Sequence, residues 1–543
     1  MRNLFILCLL ILCYSCSDSK VAAELIVVNG NIYTVDEEFG KAQAFAVANG
    51  KFLAVGSNEE ITKQYKSDQI IDAQNQTIVP GLIDAHCHFY NYGFDLQELD
   101  LVGTKSFKEI VQKIVDFQKE KNRSFILGRG WDQNDWEIKE FPTKDTLDLL
   151  FPDTPIALGR IDGHALLVNQ KALDLAGINE NTKVEGGEII KVNGKISGVL
   201  VDNAEELVNR IIPKRTKDNA INALLDAQKV CFSLGLTTVD DAGLSKYAID
   251  LIDSLQQAEK LKMRVYAMVS VSDENLDHFI KNGIIKTDRL NVRSFKVYSD
   301  GALGSRGAAM RAPYSDRENH YGALVTGVEK TREIAQRIAN SDYQMNTHAI
   351  GDSANTFLLK TYRDVLKDKV DRRWRIEHAQ IVSPEDFGLY KNVIPSVQPT
   401  HATSDMYWAE DRIGSERIKG AYAYKKLLNE YGKIALGTDF PVEQVNPMLT
   451  FYAAVSRQDL KGFPENGFNP KEALSREETL KGMTIWAAYS NFEENEKGSI
   501  ENGKFADFVI LDKDIMNEEV EKIPGTKVLS TYVNGELVYD AKK

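Results

Sequence analysis

The sequence predicts an α/β protein: a TIM-type (β/α)8 barrel with a small β-sandwich domain built from both termini and an inserted subdomain after the first barrel strand. Three observations carry this expectation. From residue 78 to 490, short β-branched or apolar runs alternate with helical patterns, the mark of βα units around a parallel sheet. Eight such runs can be counted, the number that closes a barrel. Near both ends of the chain, Asn-Gly pairs separate alternating apolar segments, and both residues of that pair tolerate the positive φ of a tight hairpin.

Residues 1–15 read as a lipoprotein-type signal peptide. Arg2 precedes an apolar run from Leu4 to Leu12 that is too short to span a bilayer. The stretch Leu12-Cys13-Tyr14-Ser15-Cys16 resembles a bacterial lipobox, and cleavage before Cys16 would leave its thiol to carry diacylglycerol. A plain cleaved signal peptide is the simpler alternative. Either way the expectation is an exported protein of a bacterial cell envelope, periplasmic or at the cell surface, with the membrane touched only through an anchor at Cys16. Of five cysteines, only Cys87 and Cys231 lie beyond Cys16, so disulfides are not expected to hold the fold.

Residues 22–77 and 491–543 form the composite β domain. Its hairpins are LIVV-Asn29-Gly30-NIYTV and AFAVA-Asn49-Gly50-KFLAV at one end of the chain, and TYV-Asn534-Gly535-ELVY beside FADFVILD at the other. Between them, the predicted barrel strands are 78–86, 237–243, 264–271, 294–300, 343–349, 373–380, 393–400 and 433–441. The long gap after the first strand exceeds what one crossover needs, so residues 100–215 are read as an insertion with strands of its own in RSFILGRGWDQNDW and GEIIKVNGKISGVL. The charged cluster from Lys367 to Arg375 is read as a solvated helix end. With 66 Lys+Arg against 79 Asp+Glu the net charge is −13, which excludes a binder that tracks nucleic-acid phosphates.

The chemistry gathers at predicted strand ends. His86 and His88 are two apart, so on a strand both imidazoles point to one face while Cys87 points away. His348 in MNTHAIGD, His378 in RIEHAQ and Asp439 in LGTDFP close three other strands. Lys296 shares its parity with Ser294 and Tyr298 on the strand before His348. Five ligand-type side chains and one lysine therefore converge on one barrel mouth.

The motifs PGLIDAHCH, GWDQNDW, DGHALLVN, FKVYSDGALGSR, THAIGD, IEHAQ, VQPTH and GTDFPVE together resemble the amidohydrolase superfamily, and within it the amidohydrolase family 3 branch that includes N-substituted formamide deformylases. The resemblance implies a metal set of His86, His88, Lys296, His348, His378 and Asp439. It implies one or two zinc ions, with Lys296 carboxylated where two are bridged; the alternative for Lys296 is a pairing with Asp300. Asp439 would move the proton, and His164 and His401 would line the substrate pocket as further catalytic residues, with Gln398 and Asp405 beside them. The implied reaction is cleavage of a non-peptide C–N bond, amide or formamide-like, in a small-molecule substrate by a metal-activated hydroxide. Hydrolysis of esters, lactones or cyclic amides, and a non-catalytic surface binding lipoprotein, are the alternatives. Trp131, Trp136, Tyr298, Phe89, Tyr90 and Trp408 lean the pocket toward an apolar substituent, and Arg160 and Arg306 are candidates to clamp a carboxylate. His278 and His320 read as surface residues, and oligomeric state is not encoded in any motif.

Overall fold

The computed structural model describes residues 20–367 and 369–542, so the leader and Cys16 lie outside the described residues. Eight parallel strands run in sequential order around the barrel: β1 Leu82–Cys87, β2 Leu236–Leu244, β3 Arg264–Ser270, β4 Leu290–Tyr298, β5 Gln344–Ala349, β6 Arg375–His378, β7 Ile394–Val397 and β8 Ala435–Leu436. Beyond the short β8, closure against β1 is made by single bonds, Asp439 N to His86 O at 2.8 Å and His88 N to Phe440 O at 2.8 Å. Gly437 permits this approach, because a Cβ there would lie 2.5 Å from His86 N and 2.8 Å from Asp84 Oδ1. The last turn of chain before Asp439 is thereby pinned to the strand that carries the two histidines.

The expected first strand, 78–86, is two strands. Thr77–Pro80 pairs with Phe508–Leu511 in the small domain, and the barrel strand starts only at Leu82. Gly81 marks the crossing, where any Cβ would collide with Thr237 Oγ1 at 2.2 Å. An apolar run continuous in sequence can serve two sheets when a glycine between them takes the close contact.

The two ends of the chain share a sandwich. One sheet has four strands from the N-terminal segment, and the other sets Asn31–Tyr33 and Thr77–Pro80 beside Phe508–Leu511, Val528–Val533 and Glu536–Asp540. Phe45 meets Phe508 edge-on at 4.9 Å, and Tyr532 stacks on Phe508 at 4.3 Å between ring centres. Between β1 and β2, six strands form a separate sheet, recruiting Leu99–Asp100, Ile156–Arg160 and Ala165–Val168 besides the two runs named above. Trp131 and Trp136 belong to this sheet's own core with Ile110, Ile114 and Leu158, not to a substrate pocket. Among the described residues no helix is long and apolar enough to cross a membrane.

The Lys367–Arg375 cluster is not simply a solvated helix end. Arg375 opens β6 with its side chain fully buried inside the barrel, where Nε reaches Glu377 Oε1 at 2.7 Å and Nη1 reaches Asp240 Oδ2 at 3.0 Å. Parity on the strand turns this arginine inward, and the two carboxylates compensate its burial.

A second buried pair joins barrel to sandwich. Arg264 at the start of β3 grips Asp507 with Nε–Oδ2 at 2.6 Å and Nη2–Oδ1 at 3.0 Å, both side chains being almost wholly buried. Removing one partner of such a pair strands the other charge. Asp507→Ala is expected to cost about 3–5 kcal/mol, read as a fall in the denaturation midpoint; an unchanged midpoint would show that the pair does not tie the two domains together.

Candidate metal centre

His86 is the penultimate residue of β1, and its ring is wholly buried. Its Nδ1 faces Glu377 Oε2 at 2.5 Å, which leaves Nε2 directed at the barrel mouth, 3.7 Å from Asp439 Oδ1 and 3.1 Å from Lys296 Nζ. Burial and the nearby Lys296 push His86 down to about 4 against the pull of Glu377, so the ring is neutral and carries a lone pair. His88, two residues on, places Nε2 3.2 Å from the same Asp439 oxygen. Cys87 points away, its Sγ 3.5 Å from Asp240 O.

His378 and Asp439 reach the site through strained backbone. Glu377 and His378 are adjacent in β6, and regular alternation would send only one of them inward. A φ of +72° at His378 breaks the alternation so that both serve the centre, and Asp439 has a φ of +65°. Non-glycine residues in this region cost on the order of 1–3 kcal/mol each and cluster at functional sites. His378 Nδ1 lies 2.8 Å from Gln398 Oε1 and 3.9 Å from Asp439 Oδ2. Burial holds the His378 and His348 rings well below their ordinary range, so both are neutral.

Lys296 is buried on β4, and burial lowers its ammonium to about 8, which raises the share of free amine that could take up carbon dioxide. It is not paired with Asp300. That carboxylate instead accepts the backbone N–H groups of Ala309 at 2.8 Å, Ile350 at 3.0 Å and Gly351 at 2.8 Å, fixing the loop after β4 to the end of β5. His348 sits on this junction, with its ring centre 4.5 Å from that of His378.

The donor set fits a divalent cation. His86, His88 and Asp439 place one ligand atom each within 4.8 Å of one another, and so do His378, His401 and Asp439. Asp439 Oδ1 is buried without a hydrogen-bond partner, an arrangement that a cation would satisfy. Although burial raises it, the hydrogen bond from His401 and the imidazoles crowded around it hold the Asp439 carboxyl well below the usual range, so it is anionic. Imidazole nitrogens with one carboxylate suit zinc and other first-row divalent metals.

His88, His378, His401 and Asp439 open onto a cavity of about 770 Å³, with His86 buried behind them. The inserted sheet supplies one wall. His164 Nδ1 bonds Asp202 Oδ1 at 2.7 Å, and its ring centre lies 5.2 Å from that of His348. Against the cost of burial, Asp202 lifts the His164 imidazolium to about 9. The Asp202 carboxylate fits a notch between Gly301 and Gly307, whose Cβ atoms would fall 2.6 and 2.5 Å from its oxygens. Tyr298 and Trp408 line the cavity as expected of aromatic neighbours, whereas Phe89 is core. Arg160 lines it too, but its guanidinium is spent on Asp132, Asp162 and Gln133, and Arg306 lies outside the lining, paired with Asp316 at 2.9 Å. Neither arginine is free to clamp a carboxylate.

The family model described as amidohydrolase family matches residues 69–539. The chain belongs to the amidohydrolase family. This amidohydrolase is 33% identical to Protein LONG AFTER FAR-RED 3 of Arabidopsis thaliana, with 96% of this chain and 92% of that protein covered. It is 26% identical to an N-substituted formamide deformylase of Arthrobacter pascens, with 95% and 98% covered. The crystal structure of an uncharacterized metal-dependent hydrolase from Pyrococcus horikoshii OT3 superposes with a TM-score of 0.74 at 28% identity, covering 91% of this amidohydrolase and 99% of that chain.

Sequence reasoning passed over Glu377, Glu443, Asp202 and Arg375. Glu377 and Glu443 stand inside IEHAQ and GTDFPVE, but a carboxylate that aims an imidazole from 291 or 42 residues away leaves no local spacing to read. Partners of this kind tune ligand histidines strongly. Glu377→Gln is expected to weaken divalent-metal affinity by about 10–100-fold in a competition titration against a chelator, with the fold retained; unaltered affinity would remove Glu377 from the centre.

Proposed function

We propose that this amidohydrolase cleaves a non-peptide C–N bond of an amide or formamide-like small molecule, with zinc as its metal and Lys296 carboxylated. The convergence of His86, His88 and Asp439 on one point, beside a cavity that His88 and Asp439 line, is the observation that carries this reading. His86, His88 and Asp439 would hold one cation; a second, where one is bound, would lie toward His378, with Lys296 beside His86 and His348 beside His378. When bound, the metal supplies Lewis acidity toward the scissile carbonyl and acidifies water.

The chain's own groups do the rest. Asp439 is anionic, so its carboxylate accepts a proton as water adds to the carbonyl carbon and returns it to the leaving nitrogen. The products are a carboxylic acid, or formate, and an amine; water supplies the hydroxyl to one and the hydrogen to the other. His164, held as an imidazolium by Asp202, presents a donor on the wall beside His348, where the carbonyl oxygen gains charge. Trp408, Leu303 and Val445 offer apolar surface for the substituent. The similarity to the Arthrobacter deformylase supports formamides as the first substrates to try.

We further propose that the mature protein is exported and held in the bacterial envelope by a lipid on Cys16, the reading that the lipobox-like segment supports. Cys16→Ala is then expected to move the protein from the membrane fraction to the soluble one, and retention in the membrane would reject the anchor.

Purified enzyme incubated with N-substituted formamides, simple amides and matched esters is expected to release amine. Turnover confined to esters would replace the C–N assignment. Asp439→Asn should lower turnover by about 10²–10⁴-fold while the histidines keep most of the metal; full activity in that variant would take Asp439 out of the proton transfer.

A further inference from the structure

Asp439 is the only carboxylate at the mouth, among the described residues, whose two oxygens face different pairs of imidazoles. Oδ1 lies 3.2 Å from His88 Nε2 and 3.7 Å from His86 Nε2. Oδ2 lies 3.2 Å from His401 Nε2 and 3.9 Å from His378 Nδ1. Each half of the carboxylate thus meets one near and one farther histidine ring, and since Gln398 holds His378 Nδ1, the other ring nitrogen of His378 is the one left for a cation.

His401 is also prepared in the manner of His86. It stands in the short helix Pro399–Asp405 after β7, and its Nδ1 faces Glu443 Oε1 at 3.1 Å, leaving Nε2 for Asp439. Glu443 is itself held, because Ser404 Oγ donates to the same oxygen at 2.5 Å. On the opposite side of the centre, Glu377 does the same for His86. A carboxylate on one ring nitrogen fixes the tautomer and strengthens the other nitrogen as a ligand.

We propose that His401 is a metal ligand, which with His378 and Asp439 forms a second cation position next to the one made by His86, His88 and Asp439. Two imidazoles and one carboxylate oxygen give three protein ligands, and the cavity side stays open for water or substrate, the pattern of a catalytic rather than a structural zinc site. The proposal assigns to His401 more than a place in the pocket wall, and it rests on the reading of this mouth as a metal centre.

The test is metal content and affinity, independent of turnover. Wild-type protein, His401→Ala and Glu443→Gln are loaded with zinc in bicarbonate buffer, desalted and analysed for metal, with circular dichroism and melting temperature as checks of folding. Wild type is expected to hold about two ions and His401→Ala about one. Glu443→Gln, which keeps the imidazole, is expected to weaken the binding of one ion by about 10–100-fold and leave the other unchanged. If His401→Ala keeps the wild-type content and affinity, the proposal is overturned while the metal centre stands. Should His401→Ala fail to fold, unchanged affinities in Glu443→Gln overturn it instead. Wild type that refuses zinc altogether defeats the metal-centre reading itself.

Discussion

Glu377 is the interaction on which the rest of the centre depends. Buried at the foot of the mouth, it accepts from Arg375 through both oxygens and holds His86 Nδ1 through Oε2. Its neighbours Arg375 and His86 outweigh the cost of burial and keep it anionic. Arg375 in turn is held by Asp240 on β2 and by Ser396 on β7 at 2.9 Å, so the aim of one imidazole is fixed by strands from around the barrel. A salt bridge this deep is weak evidence for stability. Its effect here is geometric: it leaves the His86 ring with a single useful nitrogen, and that nitrogen faces the mouth.

The same device recurs at three more histidines of the mouth. Gln398 holds His378, Glu443 holds His401 and Asp202 holds His164. Each holder comes from a different part of the chain, one of them from the inserted sheet. Glycines make these seats possible, since Gly437 lets the chain before Asp439 lie against β1, and Gly301 with Gly307 admits Asp202. The insertion is therefore part of the site and not an appendage, because its His164 and Asp202 close the wall beside His348.

Much of this was legible in the sequence because strand parity and strand ends are local properties. All eight barrel strands fall on the runs that alternation and β-branching mark, and the His86–Cys87–His88 alternation places two imidazoles on one face as expected. The boundary at Gly81 was hidden, since apolarity runs on from Val79 through Ile83 and only packing against Thr237 shows where one sheet yields to the other. Arg375 was misread for a related reason: its charged neighbours suggest solvent, while its two compensating acids lie far off along the chain. His378 and Asp439 reach the mouth through left-handed backbone, which periodicity cannot forecast. Arg160 illustrates the opposite failure. A buried arginine beside a cavity suggests an anion site, yet three local partners, two of them carboxylates, already occupy it.

The side chains at the barrel mouth are arranged for metal. Elemental analysis of wild-type protein beginning after Cys16, purified with bicarbonate and without chelator, tests this most directly. One to two zinc-like ions per chain are expected. A folded sample that carries none, and still refuses added zinc, would contradict it.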